Sequence, residues 1–284
     1  MLQRLRTYLS FVRFSHSVFA LPFALAGALL AGRQHPVTSG VVAWILVAMV
    51  AARSAAMGFN RLVDARFDAL NPRTASRELP RGLMRASEAA WFVAIASLVF
   101  VFAASQLNPI CLALSPVALA IVFWYSLAKR YTTYTQLFLG LAMAVAPVGG
   151  WLAVGGRAGW EPWLLALAIG MWVGGFDVLY ACQDLEFDRA HGLRSIPARY
   201  GVPTALGISR VMHAIAVAGL LALGWATPLP WFYYAGVGLV ALLLVYEQSL
   251  VRADDLSQVK RAFDLNGYVG IVYLLILAAS VYVR

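Results

Sequence analysis

The chain has 284 residues, of which 62% are hydrophobic and 12% charged, where a soluble domain has about half and about a quarter. That excludes a soluble globular fold, and the long apolar runs indicate α-helical spans rather than a membrane barrel. The net charge of +9 would suggest nucleic acid in a soluble protein; here the basic residues follow the membrane, and no nucleic-acid partner is expected.

Residues 1–14 carry Arg4, Arg6 and Arg13 among Leu, Tyr and Phe, the pattern of an interfacial amphipathic segment. A signal peptide is the rival, since Ala24-Leu25-Ala26 mimics a cleavage site. Against it, the apolar run continues to Ala31 and everything downstream also reads as membrane. Nine spans follow, at about 15–32, 40–60, 87–106, 109–127, 134–154, 162–182, 204–224, 230–250 and 264–283. Breakers separate them at Gly32 to Pro36, Asn108-Pro109, Gly155-Gly156 and Thr227 to Pro230. Pro22, Pro116 and Pro147 fall inside spans and predict kinks. The expected architecture is one all-α integral membrane domain over 1–284. It has two four-helix halves, about 15–127 and 134–250, and a ninth helix.

Eighteen of the 22 Lys and Arg fall on one side: three in residues 1–14, six between Arg61 and Arg85, Lys129 and Arg130, four between Arg189 and Arg210, and Arg252, Lys260 and Arg261. Arg33, Arg157 and Arg284 fall on the other, and Arg53 lies within the second span. Basic residues stay inside, so the N-terminus is expected in the cytoplasm and the protein in the inner, cytoplasmic membrane.

The charged chemistry concentrates in two stretches. Phe59 to Gly82 reads FNRLVDARFDALNPRTASRELPRG, with Asn60, Asp64 and Asp68 four apart and arginines at 61, 66, 73, 77 and 81. On a helix a step of four advances roughly 400°, so the three side chains form one stripe. The spacing returns in YACQDLEFDRAHGLRS as Tyr180, Asp184 and Asp188, with Asp177 and Glu186 beside them. Six of the thirteen acidic residues lie in these segments, both at cytoplasmic ends of spans. A solvated face pairing with arginines explains one such segment; two in equivalent places argue for a site. Cys111 and Cys182 read as packing residues without a disulfide, and the four histidines lack metal-ligand spacing.

Two carboxylate stripes would repel a phosphate alone but would hold one with Mg²⁺, which takes one or two carboxylates and fills its shell with water and phosphate oxygens. Arginines can bind the remaining oxygens. A diphosphate head with a greasy tail fits a site that faces the cytoplasm and opens into a helix bundle, so polyprenyl diphosphate is the expected donor. Ionisation of its allylic C–O bond needs a dry site with π faces, for which Phe59, Trp124, Tyr125, Trp151, Trp172 and Tyr180 are candidates. Arg53, charged within an apolar span and about two turns before Asn60, reads as functional; the alternatives are snorkelling to the cytoplasmic edge or pairing with Asp64, Asp68 or Asp177. Lys129 and Arg130 read equally as positive-inside flanks or as diphosphate ligands.

On these residues the chain resembles the UbiA superfamily of intramembrane aromatic prenyltransferases over nearly its whole length. Asn60, Asp64 and Asp68 match the first motif; Asp184 and Asp188 match the second. Tyr180, Asp177, Arg53, the segment WYSLAKRYT, and Gln136 with Gly140 resemble the 4-hydroxybenzoate branch. The resemblance implies nine helices around a central cavity open sideways to lipid. It implies Mg²⁺ held by Asn60, Asp64, Asp68, Asp184 and Asp188, and a substrate-binding set of Arg53, Asn60, Arg73, Arg77, Lys129, Arg130, Asp177, Tyr180 and Arg194. It further implies ring prenylation of a quinone precursor, either 4-hydroxybenzoate or the 1,4-dihydroxy-6-naphthoate of a menaquinone route. Arg61 departs from the pattern, since many members have an Asp after the Asn. An ion-coupled transporter is the competing class, but its acids are expected near mid-membrane. Superfamily members acting on haem, a chlorophyll precursor or a glycerol phosphate are a third reading, opposed by Arg53, Asp177 and Tyr180.

Overall fold

The computed structural model describes residues 7–8, 10–12, 20–156 and 159–283. Among them every regular element is a helix: α1 (Leu21–Ala31), α2 (Ser39–Leu70), α3 (Ala86–Leu107), α4 (Pro109–Tyr131), α5 (Thr135–Ala153), α6 (Glu161–Ala181), α7 (Leu185–Ala190), α8 (Ile196–Tyr200), α9 (Val202–Ala226), α10 (Trp231–Leu250) and α11 (Val259–Tyr282). Eight are long and apolar enough to cross a membrane, and α1 is a shorter apolar helix of 11 residues. The protein is an all-α integral membrane protein. Residues 15–19, the start of the first expected span, lie outside the described residues, as do Arg4, Arg6, Arg13, Arg157 and Arg284.

α2 and α3 pack together and continue through α4 to α5; α5 packs on α6, α6 on α9, and α10 pairs with α11. α1 fits between α5 and α11. With no hydrophobic drive between helices in lipid, small residues let backbones touch. A Cβ on Gly150 would stand 1.9 Å from the Ala24 carbonyl oxygen, and one on Gly27 would stand 2.0 Å from that of Pro147. Gly150→Ala must push α1 off α5, and overpacking of this kind costs about 1–3 kcal/mol. The expected result is a lowered thermal unfolding midpoint in detergent, with no change for the adjacent Gly149→Ala, whose Cβ would meet nothing within 4 Å.

The helix ends follow local sequence. Thr38 caps α2 by accepting from the Val41 N–H at 3.3 Å. Asn108 caps α4, accepting from the Cys111 N–H at 2.9 Å, and Pro109 takes the first helical position. Pro116 and Pro147 lie inside helices as expected. Pro22 does not: it sits in the first turn of α1, where its missing N–H costs nothing, so no kink is required there. Of the segment read as interfacial, Phe11 and Val12 are buried in protein, against Met84, Ala89 and Phe92. The Ser10 hydroxyl donates to Glu78 at 2.6 Å, which anchors this stretch to the loop after α2.

Candidate active site

α2 does not stop where the apolar run ends. Its 32 residues make a helix of roughly 48 Å, against a hydrocarbon core of about 30 Å, so its last turns carry Asn60, Asp64 and Asp68 on one unbroken helix. Asp64 and Asp68 are buried. The second motif is built differently. α6 ends at Ala181, Cys182–Asp184 is a single 3₁₀ turn, and α7 resumes at Leu185. The tighter winding turns Asp184 roughly 60° further round than an α-helix would. Tyr180, Asp184 and Asp188 are therefore not the continuous helical stripe the spacing predicts.

Each acid faces a partner. Asp64 receives Lys129 Nζ at 2.6 Å, Arg130 Nη2 at 3.4 Å and Asn60 Nδ2 at 3.3 Å. Arg130 also donates to the Val63 carbonyl. Lys129 and Arg130 belong to the last turn of α4, where positive charge also suits the helix dipole. Asp68 holds Arg77 Nη1 at 2.7 Å from both carboxylate oxygens. Asp184 takes a two-pronged contact from Arg73, Nε at 3.0 Å and Nη2 at 2.5 Å, and Asn71 Nδ2 at 3.2 Å. Arg73 Nη1 donates to the Tyr180 hydroxyl at 3.1 Å. Burial alone would lower the Arg73 guanidinium; Asp184, then Tyr180 and Asp68, outweigh it and hold Arg73 above the ordinary arginine range. Asp188 accepts from the Ser195 hydroxyl at 2.9 Å. The loop after α2 thus reaches across to the end of α6 through Arg73 and Asn71, bringing the two motifs to one rim.

Arg194 sits at this rim but serves α4: its N–H donates to the Lys129 carbonyl at 2.7 Å and its Nη1 to the Tyr131 carbonyl at 2.7 Å. Gln136 accepts from the Ile196 N–H at 3.3 Å, fixing α8 to α5. Arg61 is buried and paired with Glu78 at 3.3 Å. It ties α2 to its following loop, so this departure from the family pattern has a structural task.

Beneath the rim lies a cavity of about 710 Å³ lined by helices α1 through α6. Its wall is apolar except for a few groups such as Ser115, Tyr125 and Arg53, and Arg53 is its one charged side chain among the described residues. No ion pair of the described residues includes Arg53, and its buried Nε has no hydrogen-bond partner. The pairing with Asp64, Asp68 or Asp177 weighed from the sequence is not realised as an ion pair among the described residues: Asp64 and Asp68 are taken by Lys129, Arg130 and Arg77, and Asp177 forms no ion pair. Cavity and rim are one turn apart. Ala56 and Tyr125 line the cavity, and Asn60 and Lys129, each four residues on, stand above them on the same helix faces.

The aromatic candidates separate. Tyr125 lines the cavity, and Tyr180 packs on Phe263 beside Arg73. Phe59 stacks with Phe123. Trp124 is exposed and stacks on Tyr131, while Trp151 and Trp172 belong to the core, Trp172 bonded to Asn266 at 2.6 Å. Sequence reasoning missed Phe100 of α3, which also lines the cavity; nothing distinguishes it from its neighbours in the apolar run. Both cysteines are free.

Residues 20–275 match the model of the UbiA prenyltransferase family. A 4-hydroxybenzoate octaprenyltransferase of Citrobacter koseri is 35% identical over 243 residues, covering 84% of this chain and 83% of that one. The apo structure of a UbiA homolog from Aeropyrum pernix K1 superposes with a TM-score of 0.84 at 38% identity, over 91% of this chain and 95% of that one. A UbiA homolog from Archaeoglobus fulgidus, bound to DMAPP and Mg²⁺, shares the fold at 18% identity, with a TM-score of 0.72 over 98% of this chain and 100% of that one. A bundle whose two acid motifs meet above an apolar cavity, and whose sequence matches the family model and the curated relative over most of its length, belongs to the UbiA prenyltransferase family and is a membrane-embedded prenyltransferase.

Proposed function

We propose that the protein transfers a polyprenyl group from a polyprenyl diphosphate to the ring of an aromatic acid, 4-hydroxybenzoate, with the diphosphate at the acid rim and the tail in the cavity. The observation that carries the aromatic acid is Arg53, a lone charge in an apolar cavity one turn below the rim. The curated relative's name points to the same acceptor. 1,4-Dihydroxy-6-naphthoate bears the same carboxylate, and the product's mass separates the two.

The donor set fits Mg²⁺. Asn60, Asp64, Asp68, Asp184 and Asp188 offer only hard oxygen ligands at their carboxylates and amide. Mg²⁺ commonly takes only one or two protein carboxylates and completes its shell with water and phosphate oxygens. Bound there, Mg²⁺ would neutralise the diphosphate and make it a better leaving group. The chain's own residues do the rest. Arg73, Arg77, Lys129 and Arg130 would meet the oxygens of a diphosphate held at the rim, a reading supported by the contact each makes with an acid there. The C–O bond breaks with its electron pair leaving on the diphosphate. The ring then attacks the allylic carbon and loses its proton. The apolar walls would limit water around the cation, and Tyr125, which lines the cavity, would offer it an aromatic ring.

The basic split supports an inner-membrane protein with the rim on the cytoplasmic side. Metal dependence tests the reading of the rim. Activity should vanish on chelation and return with Mg²⁺ or Mn²⁺, and full turnover in excess chelator would overturn it.

A further inference from the structure

A second pocket, of about 490 Å³, lies where α9 and α10 meet near the turn after α10. Leu206, Arg210, Gln248, Ser249 and Arg252 contribute to its wall. Arg210 and Arg252 are exposed, and neither guanidinium makes a hydrogen bond or ion pair among the described residues. Asp254 and Asp255 follow Arg252 in the exposed turn; the Asp255 carboxylate accepts from the Ser257 N–H at 2.9 Å and lies near enough to act on Arg252 through charge, the two backbones bond to each other, and neither acid forms an ion pair with the guanidinium. Gln248 is held in place, because the Ser209 hydroxyl donates to the Gly175 carbonyl at 2.8 Å and so must accept from the Gln248 amide nitrogen at 2.7 Å.

Below this polar end the two helices are apolar on the same faces. Ala214, Ala218 and Leu221 follow Arg210 at steps of four, eight and eleven, and all are exposed. Val245 and Leu242 precede Ser249 by four and seven and are exposed as well. Two guanidiniums without an ion-pair partner, above exposed apolar faces of two neighbouring transmembrane helices, match a phosphate with acyl chains below it. We propose that this pocket binds an anionic glycerophospholipid, its phosphate between Arg210 and Arg252 and its chains along α9 and α10. Such a site depends on the membrane setting and not on prenyl transfer.

Native mass spectrometry of the full chain in detergent, titrated with phosphatidylglycerol or phosphatidylcholine, tests it. The wild type should prefer phosphatidylglycerol by about tenfold or more, the factor expected of one charged hydrogen bond. The double variant Arg210→Gln/Arg252→Gln should lose the preference, and Arg252→Gln alone, in an exposed turn that leaves the fold intact, should lose much of it. Arg81→Gln/Lys260→Gln removes two exposed charges elsewhere and should keep it. The proposal fails if the pocket variants retain the preference, if the control pair loses it equally, or if inorganic phosphate displaces the lipid.

Discussion

Asp64→Ala, Asp68→Ala, Asp184→Ala and Asp188→Ala should each lower kcat/KM at least roughly 100-fold, the scale of losing a preorganised group that stabilises developing charge. Stability should respond differently at each position, and that contrast separates the site from a solvated face. Asp64 is 3% exposed at its side chain, but its partners Lys129 and Arg130 are 28% and 32% exposed; the cations left by its removal reach water, so the cost falls below the about 3–5 kcal/mol of a fully buried pair. Asp184 is itself 19% exposed, so losing its contact with Arg73 costs less still. Asp188 gives up only the Ser195 hydroxyl. Similar catalytic losses with unequal shifts in unfolding midpoint are therefore expected, and Asp64→Asn, which keeps the shape but not the charge that Lys129 and Arg130 pair with, should recover stability only in part and activity not at all. Wild-type turnover in two or more of the four alanine variants would show that the stripes are only charged surface.

The second large effect belongs to Arg53. A charged hydrogen bond to a ligand is worth roughly 1.5–3 kcal/mol, or about 10- to 150-fold in affinity. Arg53→Ala should raise the acceptor KM by that factor and leave the KM of the polyprenyl diphosphate nearly unchanged, because the diphosphate's cations lie at the rim. Arg53→Lys should rescue in part, since a point charge cannot reproduce the two-pronged contact. Equal weakening of donor and acceptor would mean that Arg53 orders the rim and does not read the carboxylate.

Eight of the nine expected spans were legible because burial in lipid demands long apolar helices, and most of their ends lie within about five residues of those read from sequence; α1, at 11 residues, is shorter than the first expected span, whose start lies outside the described residues. The exception, α2, shows why: hydropathy marks where lipid ends, whereas the helix continues for as long as its backbone hydrogen bonds do. Asn60, Asp64 and Asp68 were legible as a stripe because their helix is regular. Tyr180, Asp184 and Asp188 were legible as a group but not in their geometry, since the 3₁₀ turn at Cys182–Asp184 has no marker in the sequence. The partners were beyond reach. Lys129 and Arg130 read equally as flanking charge, and only the packing of α4 against α2 brings them to Asp64. Arg61 read as a loss from the motif until Glu78 closed on it.

One measurement bears most directly on the claim that the rim and cavity join a prenyl donor to an aromatic acid. Membranes carrying the protein are incubated with labelled polyprenyl diphosphate, Mg²⁺ and either 4-hydroxybenzoate or 1,4-dihydroxy-6-naphthoate, and the products are weighed by mass spectrometry. The account predicts a carbon–carbon-linked polyprenyl adduct of 4-hydroxybenzoate that retains the carboxylate and is lost with Arg53→Ala at low acceptor concentration. No adduct with either acid, alongside prenylation of an acceptor that lacks a carboxylate, would contradict it.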